Sequence, residues 1–295
     1  MHNTKHTHNT NKHTIILFIT LLLHSCSQPA TQYTFNSNRS FQDIEYQLNL
    51  GPRTPGSHAH DRVVEYIQDE LNKAGWDTEL QQLTNLQPIV NIIGKRGEGN
   101  RWIILGAHYD SRLYADNDPD PSRRAQPVPG ANDGASGVAV LLELARSLPK
   151  DLPIKLWLLF FDAEDNGNIA GWDWILGSTA FVAALEGKPD AVVIVDMVGD
   201  ANLNLPIEQN STPELVSQIW QTASDLGYQQ YFLTQPGYAM LDDHTPFLNA
   251  GIPAVDIIDF DYPYWHTTQD TLDKVSRESL EVVGKTLHTW LVSLP

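Results

Sequence analysis

The sequence predicts a single α/β domain built on a central mixed, mostly parallel β-sheet flanked by helices. Three observations predict it. Strand-like and helix-like runs alternate along the chain. Several of the strands are apolar throughout, as strands covered on both faces must be. Composition does not shift after residue 37, so one domain is expected to span 38–295.

The elements follow in order. In Asp61–Ala74, apolar Val63, Val64, Ile67 and Leu71 recur at helical spacing and Gly75 follows as a stop, which predicts an amphipathic helix. Trp76–Leu83, Ile89–Ile93 and Trp102–Leu105 are short β-rich runs bounded by Gly, Asn and Pro, and read as strands. Ser136–Leu148 is a strongly apolar helix opened by a Gly-rich turn. Ile154–Phe161 (IKLWLLFF), Ala191–Val195 and Pro253–Ile258 are continuous apolar strands that belong in the middle of a covered sheet. Pro213–Leu226 and Ser276–Leu291 read as helices.

Of 295 residues, 36 are acidic and 19 basic, a formal net charge of -17. Such a field repels phosphate backbones and anionic lipid, so nucleic acid is not an expected partner, while cations and protonated amino termini are attracted. A plain soluble acidic surface explains most of this charge on its own.

The N-terminus has its own composition. Lys5 and Lys12 precede the apolar run Ile15–Leu23, too short for a bilayer span of about 20 residues but suited to the core of an export signal. Cys26 is the one cysteine, so the fold rests on packing rather than disulfides. The run Leu23–Cys26 (LHSC) resembles the end of a bacterial lipoprotein signal, although His24 departs from the usual small or apolar residue. The expectation is a signal peptide over 1–26, a flexible polar tether over 27–37, and a periplasmic or cell-envelope lipoprotein that meets the membrane only through a lipidated Cys26.

Polar residues stand where the buried strands stop. His108 and Asp110 follow one strand, Glu164 and Asp165 the next, and Asp196 a third; Asp133 and His266 lie in loops that can join them. In open α/β sheets ligands bind outside the carboxyl ends of the strands. Singly, each has a plainer use: Asp133 could cap the following helix, Glu164 and Asp165 could be a solvated strand end, and His266 a structural histidine. Together they predict a cation, because clustered carboxylates and imidazoles repel or desolvate one another without one. Two Asp and one His suit zinc with an open position, leaving Glu164 as an unligated general base.

At this point HYDSRLYADNDPDP, GANDGASGVAVLLELAR, FFDAEDNG, VDMVGD, DDHTPFLNAGIPAVDI and WHTTQDTLD, in that order, resemble the zinc aminopeptidase and glutaminyl cyclase superfamily over nearly the whole chain after the tether. The resemblance implies a zinc aminopeptidase-like fold. It implies one zinc on Asp133, Asp165 and His266, and Glu164 as acid/base. In the aminopeptidases a second zinc uses the positions of His108 and Asp196, with Asp133 bridging. Asp242-Asp243 before His244, Trp265 beside His266, and the long loop after His108 are similar to the bacterial type of cyclase. That implies conversion of the N-terminal Gln of peptides or proteins to pyroglutamate with ammonia release, with Asp196 and Asp242 as a hydrogen-bonded catalytic pair. Trp265 and Trp172 are the expected substrate contacts. Asp165 stands where mammalian enzymes carry Glu, which keeps an oxygen ligand. The rival expectations are a two-zinc aminopeptidase and, further off, an inactive binding homologue.

Overall fold

A computed structural model describes residues 1–6, 34–83 and 89–295. Residues 1–6 are exposed and without regular structure. Residues 7–26 of the expected signal peptide and 27–33 of the expected tether lie outside the described residues. The end of that tether is corrected: Phe35 is buried, Asn36 accepts the N–H groups of Asn38 and Arg39, and helix α1 (Ser37–Leu50) begins there. Among the described residues no helix is long and apolar enough to cross a membrane.

Six strands form the main sheet, in the order β1 (Asp77–Leu83), β2 (Ile89–Arg96), β4 (Ile154–Phe161), β3 (Arg101–His108), β5 (Ala191–Asp196) and β8 (Ala254–Ile258). β4, β3, β5 and β8 run parallel, while β1 and β2 pair antiparallel at one edge. The sheet is therefore mixed, with its four-stranded parallel block extending from β4 to the edge strand β8. Leu105 sits between Leu158 and Val193 in register, and β5 is buried over its whole length.

Alternation along the strands feeds two apolar layers. Ile103, Leu105 and Ala107 face one layer with Val193 and Val195, packed against α1, α2 (His58–Lys73), α3 (Ala135–Ser147), α5 (Pro213–Asp225) and α7 (Arg277–Ser293). Trp102, Ile104, Val192 and Ile194 face the other, with Phe161, Phe181 of α4 (Leu176–Ala184) and Phe247 of α6 (Thr245–Asn249). That is why the strands read as apolar runs rather than as alternating ones. Helix α3 lies tight on the sheet: a Cβ at Gly137 would stand 2.4 Å from the Val195 carbonyl oxygen.

The remaining strands, β6 (Leu205–Ile207) and β7 (Phe232–Pro236), form a separate parallel pair. Neither they nor α1, α4 and α6 stand out in the sequence. α1 carries few apolar residues among polar ones, and α6 has five residues, too few for a helical period to register.

Candidate metal centre and catalytic cavity

The parallel strands bring the expected residues to one edge. His108 and Asp196 are the last residues of β3 and β5. Glu164 and Asp165 follow β4, Asp133 precedes α3, and His266 lies in the loop after β8. Their backbone is constrained: Ala163 before Glu164, Met197 after Asp196, and His266 itself all have φ between 46° and 57°. Such left-handed conformations cost about 1–3 kcal/mol each in a non-glycine residue and persist where surrounding structure imposes them.

Asp133, Asp165 and His266 form one compact buried group. His266 Nε2 lies 2.7 Å from Asp165 Oδ1 and 3.8 Å from Asp133 Oδ2. His108, Asp133 and Asp196 form a second group sharing Asp133, with His108 Nε2 at 3.0 Å from Asp133 Oδ1 and 3.1 Å from Asp196 Oδ1. Asp133 does not cap α3; the N-cap is Gly134 and no side chain caps that end. Oδ2 of Asp133 and Oδ2 of Asp165 are buried without a hydrogen-bond partner. Buried carboxylate oxygens of this kind need a positive partner, and two Asp with one His match the donor set of a catalytic zinc. The residues fit the ion.

The electrostatics agree. Burial pushes Asp165 up to about 6, with Asp133 adding to it, and burial pushes Asp196 up to about 7. Burial also works against Asp133, yet contact with His108, helped by His266 and Arg112, holds it below its ordinary value. Burial holds the Glu164 carboxyl well above the carboxylate range, opposed by His108 and reinforced by Asp165, Asp242 and Asp243. A carboxyl raised by burial beside an open cavity is the kind of group that serves as an acid/base.

Further groups hold the site together, of which the sequence singled out Asp110 alone, as a polar residue at a strand end. Asp110 accepts the N–H of Glu164 at 3.1 Å, the N–H of Asp165 at 3.3 Å and the Asn166 amide at 3.0 Å, and lies 3.4 Å from His108 Nδ1. Asp270 accepts the N–H groups of Asn132 and Asp133 and the Tyr262 hydroxyl. The buried Arg53 guanidinium donates to the carbonyls of Tyr109, Pro129 and Gly130. Arg112 donates to the Asp165 carbonyl at 2.9 Å. Each ties one ligand loop to another or fixes a ligand's backbone, as outer partners of metal ligands do.

A cavity of about 190 Å³ opens on the two groups, lined by Asp133, Glu164, Asp165, Asp196 and Asp242 and walled by apolar side chains. Trp265 is in its wall, its ring 3.7 Å from that of His266 and stacked on it. Trp172 is not among the lining residues; Trp174 takes that place, stacked on His266 at 6.0 Å. The correction follows from Gly167, whose missing Cβ leaves room for the Trp174 ring to fold back over the loop. The twin tryptophans were the available signal, but spacing alone could not choose between them. Asp196 and Asp242 both line the cavity, and each adds to the negative charge around the other; Asp196 also contacts His108, and Asp242 groups with His244 and Asp256.

A doubly covered α/β sheet with buried His/Asp groups at the carboxyl edge of its parallel strands defines a zinc exopeptidase-like protein. The sequence profile of peptidase family M28 matches residues 90–291, and the chain belongs to that family. Among solved structures, the glutaminyl cyclase of Tannerella forsythia is 34% identical, with a TM-score of 0.84 over 89% of this chain and 100% of that one. A Zn-dependent exopeptidase from Parabacteroides distasonis is 32% identical, with a TM-score of 0.84 over 88% of this chain and 99% of that one. The glutaminyl-peptide cyclotransferase of Boiga irregularis is 27% identical over 87% of this chain and 81% of its own length.

Proposed function

We propose that the protein is a zinc-dependent glutaminyl-peptide cyclotransferase, acting on peptides or proteins that begin with Gln. The observation that carries this reading is the small apolar-walled cavity with Glu164, a residue 8% exposed, in its lining beside Asp165. A short neutral side chain fits such a space, and the relatives named glutaminyl cyclase share the fold over their full length.

In the reaction the α-amino nitrogen attacks the side-chain carboxamide carbon, a C–N bond forms, and ammonia leaves. The substrate itself brings the reacting atoms together. A zinc ion held by Asp133, Asp165 and His266 would polarise the carboxamide and stabilise negative charge on its oxygen. Glu164 takes the proton from the attacking amine and returns it to the departing nitrogen. Trp265 and Trp174 wall the side-chain space, and Asp196 and Asp242 supply the negative field that draws the ammonium terminus in.

The test is incubation with a Gln-initiated dipeptide. Ammonia without free glutamine is expected, abolished by a chelator and restored by zinc. Release of free amino acids instead would favour the second reading, a two-zinc aminopeptidase, which rests on the His108–Asp133–Asp196 group sharing Asp133 with the first. Trp265→Ala should raise KM for Gln-initiated substrates roughly fivefold, the loss of about 1 kcal/mol of ring contact. Unchanged KM would make Trp265 a packing residue only.

Export and attachment to the cell envelope through Cys26 complete the proposal, supported by the basic and apolar run of the first 23 residues and the LHSC segment. Cells fed labelled fatty acid should label the protein, and Cys26→Ser should abolish the label; labelling that persists in the variant would remove Cys26 from the role.

A further inference from the structure

A buried histidine outside the cavity bridges the exits of two strands that carry site residues. His60, in the first turn of α2, is 3% exposed and is not among the cavity's lining residues. Its Nε2 lies 2.9 Å from Asp162 Oδ1 and 3.2 Å from the Tyr109 hydroxyl oxygen. Asp162 directly follows β4 and stands two residues before Glu164. Tyr109 directly follows β3, between His108 and Asp110. Both are wholly buried.

The hydrogen bonds close on a fourth residue. The Tyr109 hydroxyl donates to the Val90 carbonyl at 2.7 Å, and the Val90 N–H donates to Asp162 Oδ2 at 2.8 Å, so the start of β2 is held at both its polar groups. Because the Tyr109 hydrogen goes to Val90, its oxygen accepts from the imidazole, as Asp162 Oδ1 does. One Nε2–H of His60 therefore serves both strand exits. Nδ1 has no hydrogen-bond partner among the described residues and stands 3.9 Å from Asp61 Oδ1. The His60 backbone is itself fixed, its N–H donating to the Ser57 hydroxyl that caps α2.

The two exits meet again at the acid/base. Tyr109 donates its N–H to the Phe161 carbonyl at 2.9 Å, and Asp110 accepts the N–H groups of Glu164 and Asp165. Between Asp162 and Glu164, Ala163 is held at φ 54°, a conformation that persists where neighbours impose it. An apolar side chain in place of the imidazole would leave the buried Asp162 carboxylate without its side-chain donor, which is costly enough to make the carboxylate turn or take up a proton. Ala163 could then relax, and Glu164 would move with it.

We propose that His60 is a positioning residue for Glu164, fixing the β4 exit against the β3 exit through Asp162 and Tyr109; the role rests on Glu164 as the acid/base, in cyclisation and in peptide hydrolysis alike. His60→Leu should lower kcat on a Gln-initiated dipeptide by about 10–100-fold, the range for groups that orient site residues, with KM and zinc content unchanged. His60→Gln, whose amide nitrogen can take the place of Nε2, should restore most of the loss. A histidine that only packs would lower the melting temperature in both variants and leave the kcat of the folded protein alone. Unchanged kcat in folded His60→Leu, or a His60→Gln no better than His60→Leu, therefore overturns the role. Should His60→Leu not fold, Tyr109→Phe removes one of the two acceptors and keeps the ring; kcat should fall about tenfold, and an unchanged kcat overturns the role equally. Ammonia and free amino acids are both measured on the unaltered protein, so that release of amino acids overturns the cyclase reading while the variants are still compared on that product. A crystal structure of His60→Leu, or of Tyr109→Phe in its place, needs no substrate. It should show the Glu164 carboxyl displaced by on the order of 1 Å, a shift that can cost about 100-fold in rate, and an unmoved Glu164 overturns the role.

Discussion

Glu164→Gln should lower kcat on Gln-initiated peptides by about 10²–10⁴-fold, the usual contribution of a positioned acid/base. Zinc content and KM should stay close to those of the unaltered protein. The substitution keeps size and polarity and removes only the ability to hold and return a proton. Because burial holds the Glu164 carboxyl well above its ordinary range, the amide does not cost a buried charge, and the melting temperature should not fall. The Glu164 backbone is fixed independently, its N–H by Asp110 and its carbonyl by Ile175. A drop in kcat can therefore be read as lost proton transfer rather than lost shape. Turnover within a few-fold of the unaltered protein would transfer the acid/base role to another group.

His266→Ala should remove the zinc equivalent of the cavity and with it activity, by on the order of 10³-fold or more where the ion carries charge stabilisation. The physical reason is the group it leaves behind. Asp165 would then face Asp133 without an imidazole of its own, while Asp133 keeps His108, and Asp165 is already pushed up to about 6 by burial and by Asp133. The variant also loses ring packing, since His266 lies between Trp265 and Trp174. Metal analysis and activity must therefore be read together: a folded variant that keeps its full zinc complement and turns over substrate would strike His266 from the ligand set. In the unaltered protein, removal of the cavity zinc should reproduce the activity loss without the loss of packing, which separates the two effects.

Much of the site was legible in the sequence because its residues sit at sheet-strand ends. Ile154–Phe161 reads as a buried strand from its own composition, and β4 spans those residues. Once the strands are placed, His108, Glu164, Asp165 and Asp196 must emerge at one edge. The supporting groups were only partly legible. Asp110 stood out as a polar residue at a strand end, but Asp270 is one among many aspartates, and the role of each lies in which backbone N–H groups it accepts, from residues as far away as Asn132 is from Asp270. Trp172 and Trp174 are equivalent in composition, and only the path of the loop past Gly167 sets Trp174 against His266. The further partners of Asp196 and Asp242, His108 for the first and His244 with Asp256 for the second, likewise come from the folded arrangement rather than from spacing.

By itself the sequence determined the layered α/β architecture and the donor residues, because apolar periodicity and residue chemistry are local properties of the chain. Only the tertiary structure decided which of these residues gather into common buried groups, which tryptophan lines the cavity, and that Asp242, His244 and Asp256 meet. Those outcomes depend on distances of a few ångströms between segments remote in the chain, and coordination, desolvation and hydrogen bonding all change over that range.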